Sequence, residues 1–329
     1  MFDSIKNIWH PELYHGFNKK NNFFEGWYFK NIGEDGTSVL SVIPGIFKSK
    51  DKTKEHAFIQ FIDGITKESH YIRFEAEQFI ADKNQFSVQI GNCTFDENRI
   101  FIDIDQPGFR AFGELNFKEL TKWDTSFLSP GIMDWYSFMP FMECNHGIVS
   151  MNHRVRGKIL INKNVYLFTF GRGYIEKDWG SSFPSSYIWM QSNNFSNTDV
   201  SFFCSIARIP WFGSHFRGYI CFVLIEGKIY KFATYTGAKL LELKIVEDTI
   251  SYKLSDKHYD LFVEAHRTNG AMLLAPYNNQ MVEGRVHETL LSEINIRLIN
   301  KTLKGNITVF EGKSQFSGLE IVGNLQEIL

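Results

Sequence analysis

Three segments of the chain set ionisable groups among aromatic rings: Phe23-Phe24-Glu25-Gly26-Trp27-Tyr28-Phe29-Lys30, then Met133-Asp134-Trp135-Tyr136 with Phe138 to Ser150, then Gly171 to Phe195. A carboxylate buried among rings must be paired, hydrogen-bonded or protonated, so these are the places to look for proton chemistry. In Glu176-Lys177-Asp178-Trp179, strand geometry turns Glu176 and Asp178 to one face and Lys177 and Trp179 to the other. Two carboxylates on one apolar face cannot both ionise cheaply, and the one that keeps its proton near neutral pH is a general acid. The bland alternative is a solvated turn before Gly180, or ion pairs to Arg172 and Lys177. Glu25 carries the same two readings, as a pocket acid or as a hydrogen-bond acceptor at the start of a strand. Glu143 and His146 would point to opposite faces of a strand but can converge on a loop.

Other chemistries find less support. His146 and His153 fall on opposite faces of a strand, and none of the scattered His residues has zinc-ligand spacing, so no metal is expected. Gly171-Arg172-Gly173 is too short for a phosphate loop, and no Gly-x-Ser-x-Gly supplies an acyl-transfer nucleophile. Cys144 close to His146 invites a thiol-catalysis reading, but a buried, inert cysteine is the expectation.

The elements that must position these groups read as short strands between turn signals. Ile159–Ile161 and Val165–Phe170 flank Asn162-Lys163-Asn164, and Tyr219–Ile225 and Lys228–Thr234 flank Glu226-Gly227, as hairpins do. From Gly147 to Ile161, Val149, Met151, His153, Val155, Ile159 and Ile161 share one face, with Arg154, Arg156 and Lys158 opposite. Val39–Phe47 reads as interrupted at Pro44-Gly45, Ala76–Ile80 as one helical turn, and Val282–Leu291 as helix or strand, with Gly284 against helix. Strands at roughly ten-residue spacing suggest barrels or sandwiches. Gly26-Trp27-Tyr28-Phe29 and Tyr187-Ile188-Trp189-Met190 echo each other faintly, as the openings of two related barrels would.

A chain of 329 residues exceeds one ordinary core, so two domains are expected. The composition is globular, at 43% hydrophobic and 22% charged, with 32 Phe that fit pleated surfaces or line a pocket for an apolar ligand. A net charge of -2 with scattered Lys and Arg gives nothing to attract nucleic acid or an anionic membrane. The four cysteines lack Cys-x-x-Cys spacing and read as reduced thiols of a soluble, cytoplasmic protein. MFDSIKNIWH has no apolar leader region, and the longest apolar runs are too short to span a bilayer.

Taken together, Phe23–Lys30 (FFEGWYFK), Pro140–Gly147 (PFMECNHG), Gly171–Gly180 (GRGYIEKDWG) and Phe183–Phe195 (FPSSYIWMQSNNF) resemble the tocopherol cyclase family, whose plant members carry such blocks in this order. The resemblance covers about Phe23 to Phe195. It departs at Tyr187, where the family pattern has Trp, at Ser192, where it has Cys, and in showing no plastid transit segment.

The resemblance implies an all-β fold of two tandem lipocalin-like β-barrels, divided as 17–165 and 166–329. It also implies a cyclase that closes a chromanol-type ring in a prenylated hydroquinone. A tail alkene is protonated and a phenolic oxygen traps the cation, without metal or redox cofactor. Chemistry placed on the motif positions nominates Asp178, then Glu176 and Glu25, as the acid, and His146 to orient or deprotonate the phenol. Trp27, Glu143, Trp179, Tyr187, Trp189, Gln191 and Asn193 are the expected substrate-binding set. A cation over a ring gains only ~0.5–2 kcal/mol, whereas enzymes lower barriers by ~8 kcal/mol or more, so rings alone do not suffice. The expected partner is a hydrophobic small molecule, with transient membrane contact allowed and no nucleic acid. A non-catalytic lipid carrier, or another alkene-protonating isomerase or hydratase, are the competing readings.

Overall fold

The computed structural model describes residues 7–329 except 198, 303 and 304. The first six residues of MFDSIKNIWH thus lie outside the described residues. Strand dominates: among the described residues the only helical pieces are short 3-10 turns, and no helix is long and apolar enough to cross a membrane.

Eleven strands form the first sheet: β1 (Phe23–Ile32), β2 (Val39–Lys48), β3 (His56–Asp63), β4 (Ser69–Phe74), β5 (Phe79–Ala81), β6 (Ser87–Ile90), β7 (Cys93–Asp96), β8 (Arg99–Gln106), β9 (Phe109–Thr121), β10 (Cys144–Ile161) and β11 (Asn164–Gly180). Ten form the second: β12 (Tyr187–Ser192), β13 (Val200–Trp211), β14 (Ser214–Ile225), β15 (Lys228–Ala233), β16 (Lys239–Val246), β17 (Thr249–Ser255), β18 (Tyr259–His266), β19 (Ala271–Tyr277), β20 (Gln280–Asn300) and β21 (Ile307–Val322).

Both sheets follow one plan. The opening strand pairs with the next strand and with the last: β1 with β2 and β11, β12 with β13 and β21. The sheet edges are the fourth and fifth strands, β4 and β5 in one case and β15 and β16 in the other. Each sheet pairs its first strand with its last and is open between its fourth and fifth, with β19 off the second path and paired to β20, which is the lipocalin-like architecture. The fold is all-β with two such barrels. The Trp27 and Trp189 segments occupy equivalent opening strands, which accounts for their echo.

The expected hairpins form at Ile161/Asn164 and Ile225/Lys228. Val282–Leu291 lies within β20. Pro44-Gly45 does not break its strand. Instead the β1–β2 pairing lapses opposite Ile43-Pro44, where proline has no N–H to give, and resumes at Gly45. The division expected at 165/166 falls inside β11. The first compact unit runs through Phe183 and adds 273–283, and the second comprises 184–272 and 284–329.

Alternation fills each interior. Ile100, Ile102 and Ile104 of β8 are buried while Arg99 and Asp105 are exposed. The first core holds Trp27, Phe29, Phe61, Phe95 and Phe168, with Trp27 stacked on Phe86 at 5.5 Å and Phe29 on Phe117 at 5.9 Å. The second is built on Phe202, Phe232, Tyr252, Leu261 and Ile296. Residues 174–177 of β11 and nearly all of β1 are buried on both faces, and there the charged residues collect.

Candidate functional site on strands β1, β10 and β11

β11 runs between β1 and β10, and the register sets rows of directly opposed residues across the three strands. Gly26, Asp178 and His146 form one row, and Tyr28, Glu176 and Ile148 another. Trp27, Lys177 and Gly147 form the row between them, with side chains on the opposite face, as do Glu25, Trp179 and Asn145. Alternation along one strand therefore builds two ionisable clusters back to back.

The first cluster lies on the face away from the ring-filled core. Nδ1 of His146 donates to Oδ1 of Asp178 at 2.8 Å, and its Nε2 lies 3.7 Å from Oε2 of Glu176. Tyr174 donates its hydroxyl to the same Glu176 oxygen at 2.6 Å. Glu176 is buried, whereas the His146 and Asp178 side chains keep 15% and 24% exposure. Burial lowers the His146 pKa, but the Asp178 and Glu176 carboxylates outweigh it and raise it above the ordinary histidine value. The group thus sets one imidazole between two carboxyls, an arrangement with the chemistry to exchange protons.

Cys144, 3.8 Å from Asp178, is held as a thiol, because burial and then Asp178 push its pKa well above the usual range. Cys144 is partly exposed where a buried cysteine was expected, and all four cysteines are free. Burial and Glu176 likewise keep Tyr174 a phenol.

Sequence spacing showed no metal-ligand pattern. Folding nonetheless brings one ligand atom each from His146, Glu176 and Asp178 within 4.8 Å of one another. A divalent cation there would have to replace the His146–Asp178 hydrogen bond.

The second cluster faces the barrel interior. Lys177 and Glu25, both fully buried, form an ion pair. Lys177 also donates to the Leu13 carbonyl, and to Nδ1 of His15 at 2.7 Å. The His15 backbone N–H donates to both Glu25 oxygens, at 2.9 and 3.0 Å. Nε2 of His15 donates to the Asn7 carbonyl at 3.1 Å, which leaves Nδ1 as the acceptor Lys177 needs. Burial would raise the Glu25 pKa, but Lys177 and His15 hold it below the ordinary carboxylate value. Burial pulls Lys177 down to about 8 against the opposing pull of Glu25. Burial and then Lys177 lower the His15 pKa and keep it neutral.

Trp27 and Trp179 cage this ammonium, with ring centroids 4.8 and 4.7 Å from Nζ, and His15 stacks on Trp179 at 4.2 Å. Trp27 also donates its indole N–H to the Glu12 carbonyl at 2.9 Å. Gly147 gives this N-terminal segment its seat, since a Cβ there would lie 2.4 Å from Pro11 Cβ.

The structure therefore unites Asp178, Glu176 and His146 and separates Glu25 from them. Trp27 and Trp179 line the Lys177 side, so they do not wall the Asp178 site as the motif positions suggested. Glu143 lies just before β10, its backbone carbonyl accepting from Ser181 at 2.8 Å. Tyr187, Trp189, Gln191 and Asn193 are buried on or just after β12 of the second unit, where Tyr187 donates to Glu320 at 2.7 Å and Gln191 to Asn193 at 3.5 Å. Sequence reasoning passed over His15 and Tyr174, and it offered Lys177 as an ion-pair partner for Glu176 or Asp178 where the structure pairs it with Glu25. The available signal was a lysine alternating with Trp179 on a buried strand, which requires a carboxylate partner such as Glu25.

The family model described as tocopherol cyclase-like matches residues 114–323, extending well past Phe195, the limit of the motif resemblance, into the second unit. The "Probable tocopherol cyclase, chloroplastic" of Oryza sativa subsp. japonica is 23% identical over 198 residues, covering 57% of this chain, and the chain spans only 42% of that relative's length. Among solved structures, CghA with Sch210972 superposes with a TM-score of 0.55 at 9% identity, covering 92% of this chain and 89% of the other. Kievitone hydratase from Nectria haematococca superposes with a TM-score of 0.51 at 11% identity, covering 95% and 93%. These likenesses establish the fold, and the family match over more than half of the sequence means that this chain belongs to the tocopherol cyclase-like family.

Proposed function

We propose that the chain is an isomerase that closes a chromanol-type ring in a prenylated hydroquinone, with the Asp178–His146–Glu176 set handling the protons. The observation that carries this reading is the 2.8 Å His146–Asp178 bond with Glu176 at 3.7 Å on the far side of the imidazole. Two carboxylates and one imidazolium leave one negative charge in a largely buried place. A further proton neutralises it and comes to rest on a carboxyl, which is the acid an alkene requires.

Asp178, the more exposed carboxyl, gives its proton to the less substituted carbon of the tail alkene. The phenolic oxygen bonds to the resulting tertiary cation and releases its proton to the set, with His146 as the relay. Every atom is retained, and the substrate and product have equal mass. Tyr174 holds Glu176 in place through its hydroxyl. Glu25 is paired with Lys177 on the other face and serves the architecture.

The test incubates the purified chain with a prenylated hydroquinone and follows a product of unchanged mass that has lost one phenolic hydroxyl and the alkene. Asp178→Asn should slow conversion by about a hundredfold or more. Absence of conversion by the wild-type chain, or an undiminished rate in Asp178→Asn, would overturn the assignment.

A further inference from the structure

Residues 122–143 connect β9 to β10 and carry an exposed apolar display. The backbones of Ser126 and Ser129 bond reciprocally, at 2.8 and 3.2 Å, and close a tight turn with Phe127 and Leu128 at its tip. Those two side chains are 81% and 76% exposed, at positions where turns ordinarily carry Gly, Asn or Asp.

The display is held in place. Trp9 stacks on Phe127 at 5.9 Å, meets Phe138 edge-on at 5.6 Å, and donates its indole N–H to the Ser126 carbonyl at 3.0 Å. Trp135, Phe138 and Phe141 are exposed as well. Ile132 and Met133, midway along the loop, are buried and anchor it.

Charge selects the partner. From 123 to 143 the loop contains Asp124, Asp134 and Glu143 and neither Lys nor Arg, and Lys122 at its entrance is paired with Glu97 at 2.5 Å. An anionic leaflet would repel such a loop, whereas Trp, Tyr and Phe favour the headgroup level of a bilayer. The loop also leads straight into the proton set, since the His146 backbone N–H donates to Sδ of Met133 at 3.0 Å.

We infer that the Phe127–Leu128 turn and the rings around it form a docking surface for a zwitterionic lipid bilayer, from which a membrane-dissolved substrate reaches His146 and Asp178. The delivery part rests on the proposed cyclisation; the docking part does not.

Flotation of the full chain with phosphatidylcholine vesicles tests docking. The wild-type chain should float with the vesicles, with a blue shift of tryptophan emission. Binding should fall when phosphatidylserine replaces part of the phosphatidylcholine. Phe127→Ser with Leu128→Ser should lower affinity at least about tenfold. Both sites are exposed, and an unchanged circular dichroism spectrum would show that the fold is kept.

Failure of the wild-type chain to float, equal binding by the double variant, or tighter binding to anionic vesicles would each overturn the inference. So would a wild-type dimer in sedimentation that the double variant dissolves, because a second copy would then cover the patch. Delivery is read separately. The double variant should match the wild type on detergent-dissolved prenylated hydroquinone and lose rate on vesicle-embedded substrate. If neither protein converts either form, the proposed cyclisation fails while the flotation result still decides docking.

Discussion

Lys177 and Asp178 are neighbours in the chain, yet their side chains end on opposite faces of β11, one paired with Glu25 and the other with His146. One strand thus carries an ion pair inward and the proposed proton-handling set outward, both aligned by the β1–β11 register.

The outward set predicts a specific pH profile. The His146 pKa is raised above 6.5, so the imidazolium is present below the folded value and lost as pH rises through it. The cyclisation rate should therefore fall on the alkaline side, above pH 6.5. Removing the Asp178 charge removes the larger carboxylate influence on His146, so in Asp178→Asn that limb should move to lower pH. A limb that stays in place, read from the residual rate or from the His146 proton resonance, would separate the two residues.

The inward pair predicts strong coupling. Glu25→Gln or Lys177→Met alone leaves a fully buried partner uncompensated and should cost about 3–5 kcal/mol in urea unfolding. The double variant should be clearly more stable than the sum of the two losses implies. Strict additivity would mean that the pair does not interact energetically.

His153 predicts an acid limb of stability. It is buried inside the first barrel, donates Nδ1–H to Ser150 Oγ at 3.0 Å and lies against Phe117. Burial lowers its pKa to about 3. Unfolding lets it take up a proton, so its contribution is complete above pH 6.5 and drains away as pH falls toward 3. Urea titrations between pH 7.5 and 4 should show a shallower decline for His153→Gln than for the wild type. Gly173→Ala should destabilise in its own right, since a Cβ there would sit 2.1 Å from His153 Nε2.

Cys144 predicts a negative result. Because it is held as a thiol, Cys144→Ser should leave the cyclisation rate within about threefold. A loss as large as that of Asp178→Asn would revive thiol catalysis.

From the sequence alone, the aromatic blocks gave the family resemblance and with it the all-β fold, and alternation along 176–179 put Glu176 and Asp178 on a shared face if that segment is a strand. These are properties of one strand, written at a period of two. The tertiary structure decided what stands opposite. His146 joined Asp178, and Glu25 was claimed by Lys177, because β1 and β10 flank β11 in a register that no local spacing encodes. It also decided that Trp27 and Trp179 cage an ammonium and do not wall the proton site. Parity along each strand makes Trp27 share a face with Glu25 and Trp179 with Lys177, but only the pairing of β1 with β11 turns those two faces to the same side.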